Sequence, residues 1–500
     1  MKKITKRLVT LLASAVVMLG SSLTVCAEEG YTYNYDYWGD VQYSPDAYEV
    51  AMVVTAADLG LEQKMLNPQG LYVYGDLIYI CDTGNNRILE LERTGKQEVE
   101  LVRIIDSFKG NGLTDVTTFY TPNDIARDEE GNFYVADKNN GRVVKLDSEL
   151  NYIMEFTKPT DATFDQSLNF LPSKITIDSA GRVYCVASNV NKGLIKFEMG
   201  GEFSGFVGAT EVVFDFADYL WKRIATAEQR AQMTNFVPTE YDNLYMDHEG
   251  FIYVCTTNVS EADLDAGTNP MKRLNLMGSD IMVRNGEWDI IGDIYWGEGG
   301  GYAGPSLITD ITAFENDVFV GLDKVRGRLF AYDDQGRMVF AFGGNGNVDG
   351  YFKQPVALEH MDNDLLVLDS LDCSITFFTL TEYGTAIFNA IEQFQDGQYT
   401  ESGESWQRVV EMNGNYDLAY IGIGRSLLRQ ERYEEAMEYF ELKYDAENYS
   451  KAFKQYRKIW VEENIVMIIV VVFVVLCVPL MIGKLKKIKR EIDNAEIFNS

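Results

Sequence analysis

The sequence predicts a mainly β protein: a six-bladed β-propeller, then a small α-helical domain and one transmembrane helix. Three observations lead there. An apolar strand bounded by turn residues recurs along the first three quarters of the chain, at about the spacing of a four-stranded blade. Beyond residue 380 the apolar period changes from that of strands to that of helices. Residues 465–483 carry no charge and, at about 1.5 Å per residue, reach across a hydrocarbon core of roughly 30 Å.

The recurring unit is clearest at 122–147, PNDIARDEEGNFYVADKNNGRVVKLD. It reads as a strand, a turn at Glu130-Gly131, a strand over 133–136, a turn at Asn139-Asn140-Gly141 and a strand over 143–146. Copies open at Pro68, Pro122, Pro172, Pro238 and Pro355, with 306–309 standing in for the marker proline of the fifth. The first three markers lie 54 and 50 residues apart. One such sheet alone would leave two open edges and a bare apolar face, whereas radial packing of six buries both faces. A strand over 49–55 has no hairpin partner of its own and is expected to complete the last blade, closing the ring. Two insertions interrupt the period: an amphipathic helix near 215–233 and a polar loop near 257–270.

The repeated residues resemble NHL repeats over about 49–379. They are Pro68-Gln69-Gly70-Leu71 with Asp82 and Arg87, then Gly131, Asp137 and Arg142. Copies three and four carry Ala187 and Thr256 where the aspartate is expected, copy five has Leu322 followed by Asp323, and copy six has Asp369 without the arginine. The resemblance implies a six-bladed propeller, an architecture shared by binding domains and enzymes. The gluconolactonase-like group of such propellers holds a divalent ion over the channel through Glu, Asn and Asp. It implies an alternative function, a calcium-dependent lactonase or sugar-ester hydrolase, with Asp82, Asp137, Asp369 and Asn189 as candidate Ca2+ ligands. Yet the aspartate and the arginine five residues on (Asp82 and Arg87, Asp137 and Arg142) recur in successive copies. That recurrence favours pairs that hold the blade turns, and no cofactor is expected.

The chain ends read as targeting and anchoring segments. Lys2, Lys3, Lys6 and Arg7 precede the apolar run 8–19, and Val25-Cys26-Ala27 supplies a cleavage site, so 1–27 is expected to be a signal peptide. Leu23-Thr24-Val25-Cys26 leaves a lipidated terminus as the alternative. Residues 28–48 are expected to form an aromatic-rich linker. Residues 381–463 resemble tetratricopeptide repeats, because the segments opening at Tyr399 and Tyr433 align at a shift of 34 residues. After the membrane helix at 464–483, the basic tail 484–500 is expected inside the cell and the body outside. The body is acidic, and a net charge of -32 disfavours nucleic acid. Cys81, Cys185, Cys255 and Cys373 match no zinc spacing and are expected to be free thiols.

Catalytic motifs are sparse. There are two histidines, His248 and His360, in different copies, and no Gly-x-Ser-x-Gly elbow. The glycines of 297–304 lack the Gly-Lys-Ser/Thr ending of a phosphate loop. A glycosidase needs only two carboxylates, so 76 acidic residues leave that chemistry open. The aromatic residues Trp288, Trp296, Tyr302, Tyr35 and Trp38 are candidates for stacking on a sugar or a protein partner. The expected function is therefore a non-catalytic, extracellular, membrane-anchored binding or assembly module of a bacterial cell. Its expected partner is a membrane protein such as a sugar-transport complex, with a glycan as a further ligand. A purely structural surface spacer is the remaining alternative.

Overall fold

The computed structural model describes residues 31–110, 116–188, 190–208, 241–295 and 303–498. The expected signal peptide and the 215–233 helix lie outside them. The chain divides into two units, at residues 1–385 and 386–500.

In the first unit β1 (Thr32–Tyr35), β2 (Val41–Ser44) and β3 (Tyr48–Thr55) precede the repeats. The first blade is the antiparallel order β4 (Gly70–Tyr74), β5 (Leu77–Asp82), β6 (Arg87–Gly95) and β7 (Glu98–Ile105). The second is β8 (Pro122–Arg127), β9 (Phe133–Asp137), β10 (Arg142–Leu146) and β11 (Tyr152–Thr157). The third is β12 (Pro172–Ile177), β13 (Val183–Ala187), β14 (Leu194–Phe197) and β15 (Phe203–Val207). Then come β16 (Asn243–Met246), β17 (Ile252–Cys255) and β18 (Met271–Leu274), which form a three-stranded sheet. The next blade is β19 (Ile308–Ala313), β20 (Phe319–Asp323), β21 (Arg328–Tyr332) and β22 (Met338–Asn345), with the short β23 (Tyr351–Phe352) against β22. The last is β24 (Pro355–Met361), β25 (Asp364–Asp369), β26 (Ser374–Leu380) and β3. The innermost strands β4, β8, β12, β16, β19 and β24 touch in that order, and β24 returns to β4.

The expectation of a six-bladed propeller is corrected to five complete blades. Five sheets have the four-stranded blade order, and among the described residues the sheet of β16 to β18 stops at three. Its outer position is taken by a turn in which Asn275 Oδ1 accepts from the amides of Met277 and Ser279. Only the isolated pair Leu274 and Asp280 remains of a fourth strand.

The second strand of each repeat explains why the sequence folds this way. Residues of β5, β9, β13, β17, β20 and β25 are almost all buried, because both faces of a blade meet a neighbour. Hence these strands are continuous apolar runs rather than alternating ones. Turns between first and second strands reuse one device, seen at Asp128, Asp178 and Asp247. The aspartate accepts from the amide four residues on, while the glycine at the third position after it takes a positive φ, +84° at Gly131.

Ring closure follows the expectation from the unpaired strand. β3 pairs antiparallel with β26 from Thr55 opposite Ser374 to Tyr48 opposite Leu380, placing Val54 against Ile375 and Phe377 in one core cluster. The linker reading of 28–48 is corrected. β1 and β2 form a hairpin, and Tyr33 pairs with Ala341 of β22, extending that sheet. The aspartate position of the fifth repeat is also corrected by one residue. Register puts Asp323, not Leu322, opposite Arg328, as Asp82 stands opposite Arg87.

The second unit is helical. α1 (Glu261–Asp265) belongs to the propeller's polar insertion, capped by Ser260 and Asp263. α2 (Glu382–Gln395) leads into α3 (Tyr399–Met412), α4 (Asp417–Arg429), α5 (Tyr433–Leu442) and α6 (Ala446–Phe498). Helices α3 and α5 begin 34 residues apart, and Ser402 with Trp406 is matched by Ala436 with Phe440, all buried. Glycine lets the helices approach: a Cβ at Gly422 would lie 2.4 Å from Trp406 Nε1, and one at Gly424 2.6 Å from Phe440 Cε1. α6 is the one described helix long and apolar enough to cross a membrane, with a mean hydropathy of 3.5 over its most apolar window.

Candidate functional site

Two sets of charged residues recur around the ring. The outer set lies where the second strand ends. Asp82 Oδ1 accepts from the Leu66 amide at 2.7 Å, and its Oδ2 from Asn85 at 2.8 Å and Arg87 Nε at 2.7 Å. Asp137 repeats this with Tyr120, Asn140 and Arg142 at 2.7, 2.7 and 3.0 Å. Asp369 accepts from the amides of Lys353, Gln354, Leu371 and Asp372, and Asp323 from those of Val325 and Arg326. The three candidate calcium ligands of this set therefore sit in three different sheets, each with both oxygens already engaged. They do not fit a calcium ion, which needs six to eight oxygens converging on one point. Among the described residues no group of three or more His, Cys, Asp or Glu is arranged to hold a metal. Asn189 lies outside the described residues.

The inner set lies on the strands that line the centre, where a cavity of about 760 Å³ opens. Each of β4, β8, β12, β16, β19 and β24 contributes to its wall. A β-bulge opens β8, β12, β19 and β24, and the residue that follows it on the first three is Asp124, Lys174 and Asp310. The two aspartates tie each strand to the next. Asp124 Oδ2 accepts from the Ile175 amide at 2.8 Å, and Asp310 Oδ2 from the Leu358 amide at 2.7 Å. Lys174 Nζ lies 3.9 Å from Asp124 Oδ1 and donates to the Gln69 carbonyl at 3.3 Å. Glu359 and His360 of β24 complete the ring, and His360 Nδ1 meets Thr312 Oγ1 at 2.8 Å.

Enclosure dominates the electrostatics. Burial pushes the Asp124 carboxyl up to about 6, against the stabilising pull of Lys174 and the Ile175 amide. Asp310 is pushed up to about 7 for the same reason, with Lys174 again opposing. Glu359 is held well above the carboxylate range by burial, then by Asp310 and Asp124. Burial disfavours charge on Lys174 too, but Asp124 and Asp310 outweigh it and raise its affinity for the proton. Burial depresses His360 to about 4, leaving a neutral imidazole. Perturbed groups gathered in one cavity are the usual mark of a functional site.

The aromatic candidates fall elsewhere. Trp288 is half-buried and donates its indole N–H to the Asp36 carbonyl at 2.9 Å, pinning the β1–β2 hairpin. Tyr35 donates to Asp293 Oδ1 at 3.0 Å, beside the Asp293–Arg328 ion pair at 2.6 Å. Trp38 is 59% exposed and packs edge-on against Tyr37. Trp296 and Tyr302 lie outside the described residues. Tyr35, Trp38 and Trp288 are not among the described residues lining the cavity. Sequence reading passed over Asp124, Lys174 and Asp310, although a charged residue two places after the marker proline was visible at Asp124 and Lys174. Glu359 and His360 carry no local signal.

Residues 119–146 match the NHL repeat family model, which places the match on the second blade. No curated protein matches the chain significantly. Among solved structures the chain is similar to virginiamycin B lyase from Staphylococcus aureus, at 10% identity over 67% of this chain and 100% of that one, with a TM-score of 0.38. It is similar to the extracellular domain of a one-component system from B. thetaiotaomicron at 10% identity, over 70% and 41% of the two chains, with a TM-score of 0.35. BamB from Moraxella catarrhalis matches at 13% identity over 62% and 71%, with a TM-score of 0.30.

Proposed function

We propose that the chain is a membrane-anchored binding module, held by α6 with its body outside the cell, whose propeller takes a small ligand into the central cavity. One observation carries this reading: a cavity of a size that suits a ligand, walled by all six inner strands, encloses charged groups that burial has shifted. Enclosing such groups costs free energy unless they are paired, and a ligand would supply the missing partner. The helices that start 34 residues apart are read as tetratricopeptide-like, docking a membrane protein such as a sugar-transport complex. The test is equilibrium dialysis of the detergent-solubilised full chain against neutral sugars, amino acids and amines, with the retained compounds identified by mass. Retention of a compound at one per chain supports the reading, and retention of none refutes it.

A second reading has one observation in its favour. Asp124 and Glu359 line one cavity and burial raises both carboxyls, and a glycosidase needs two carboxyl groups of which one is kept protonated. Cleavage of a disaccharide added to the same dialysis would select it.

A further inference from the structure

We propose that the central cavity binds a small organic cation, its ammonium group received by Asp124, Asp310 and Glu359. The inference rests on the cavity being a binding site and adds the chemical class of the ligand.

The first ground is the charge count inside the wall. Three carboxyl groups face one ammonium, that of Lys174, and His360 is neutral. Lys174 already serves Asp124 and the Gln69 carbonyl, so among the described residues no cation lies within ion-pair distance of Asp310 or Glu359. Glu359, which lines the cavity, has the His360 backbone amide as a partner but no ion pair among the described residues. The second ground is the mouth. The turns between first and second strands bring Asp76, Glu129 and Asp362 to it, all exposed and without an ion pair among the described residues. Asp178 there is paired with Arg182 at 2.6 Å, and Asp247 and Glu249 with Arg273 at 2.6 and 2.7 Å. An opening at which carboxylates outnumber the guanidinium groups of Arg182 and Arg273, on a chain of net charge -32, draws cations and repels anions. The third ground is the wall itself. Tyr72 and Tyr245 line it, and Tyr245 lies 5.9 Å from the His360 ring, giving aromatic surface suited to a cationic group.

The acids of the cavity wall, Asp310 buried and Glu359 partly so, give the site a distinctive signature. With no cation present, Asp310 and Glu359 relieve their enclosed charge by holding protons near neutral pH. A bound ammonium favours the carboxylates and expels those protons, which a neutral ligand does not do. The other groups near this cluster, Tyr72, Tyr245 and Cys81, are neutral in that range, each held up by burial.

The experiment is calorimetric titration of the solubilised full chain at pH 7 with glucosamine, glucose and putrescine. Each is run in two buffers of different ionisation enthalpy, which reads the protons released. At least one cation should bind ten times or more tightly than glucose, with net proton release. Glu359→Gln should weaken that binding at least tenfold. The exposed rim variant Asp76→Asn, Glu129→Gln, Asp362→Asn should weaken it severalfold and flatten its salt dependence, and folding at these surface turns is not at risk. Glucose binding as tightly as glucosamine, without proton release, overturns the cation inference and leaves the binding module standing. Binding of none of the three overturns the inference, and dialysis then decides the wider reading. Cation binding unchanged in both variants also overturns it.

Discussion

Replacing Asp137 by alanine tests whether the outer aspartates hold the blades. The side chain is fully buried and accepts three hydrogen bonds, from Tyr120, Asn140 and Arg142. Removing one member of a buried ion pair costs about 3–5 kcal/mol, because the other charge stays enclosed. Here Arg142 keeps Glu155 at 3.0 Å and the Val116 carbonyl at 2.9 Å. The lower end, about 3 kcal/mol, is therefore expected. For a β unit of this size that is a fall of roughly 5 °C in the melting midpoint, followed by near-ultraviolet circular dichroism. Asp137→Asn retains one acceptor and should lose about half as much. The double variant Asp137→Ala, Arg142→Met removes both charges and should cost less than the sum of its parts. A fall below about 1 °C in Asp137→Ala refutes the reasoning. So does a calcium-dependent rise in the wild-type midpoint that Asp137→Ala abolishes, since the carboxylate would then be a metal ligand.

The other predictions concern the helices, the titrating cavity and the anchor. Gly422→Ala should destabilise the helical unit by about 1–3 kcal/mol, because its Cβ would meet the Trp406 ring at 2.4 Å. Gly403→Ala, with 3.6 Å to its nearest neighbour, should be neutral or stabilise by up to about 1 kcal/mol, and far-ultraviolet melts separate the two. Asp124 and Asp310 have folded-state pKa values raised above the unfolded ones, so between about pH 4 and 7 the folded state holds more protons. Their contribution therefore weakens the fold as pH rises through 6 to 7, and Asp310→Asn should flatten that slope in melts from pH 5 to 8. Truncation ahead of residue 464 should move the protein from the membrane to the soluble fraction, since it removes the apolar part of α6.

The blades were legible because a strand buried on both faces must be a continuous apolar run, as at Ile78 to Cys81 and Phe133 to Ala136. The closing strand was legible for a related reason, since an apolar strand over 49–55 without a hairpin partner has to pair at long range. The β1–β2 hairpin was not, because Tyr33 finds its partner Ala341 on the other side of the sequence and nothing local specifies that pairing. In the β16–β18 sheet the lost outer strand depends on a turn at Asn275, at the end of a stretch that reads as strand over 271–276. The cavity was half visible. Asp124 and Lys174 interrupt apolar strands just after marker prolines, whereas Asp310 follows a bulge without one. Glu359 and His360 acquire their character only from the enclosure that six sheets make together. Reading the aspartate and arginine spacing gave the outer set instead, the more regular and the more fully hydrogen-bonded of the two.

The most direct test of the central claim is to fill the cavity and measure binding. Thr176 lines it and is only partly buried, so Thr176→Trp places a large ring in the space without touching the outer aspartates. The account predicts that the wild-type chain retains its ligand on dialysis while Thr176→Trp, with an unchanged melting midpoint, retains none. Equal retention by the two proteins would contradict it and place the ligand elsewhere on the surface.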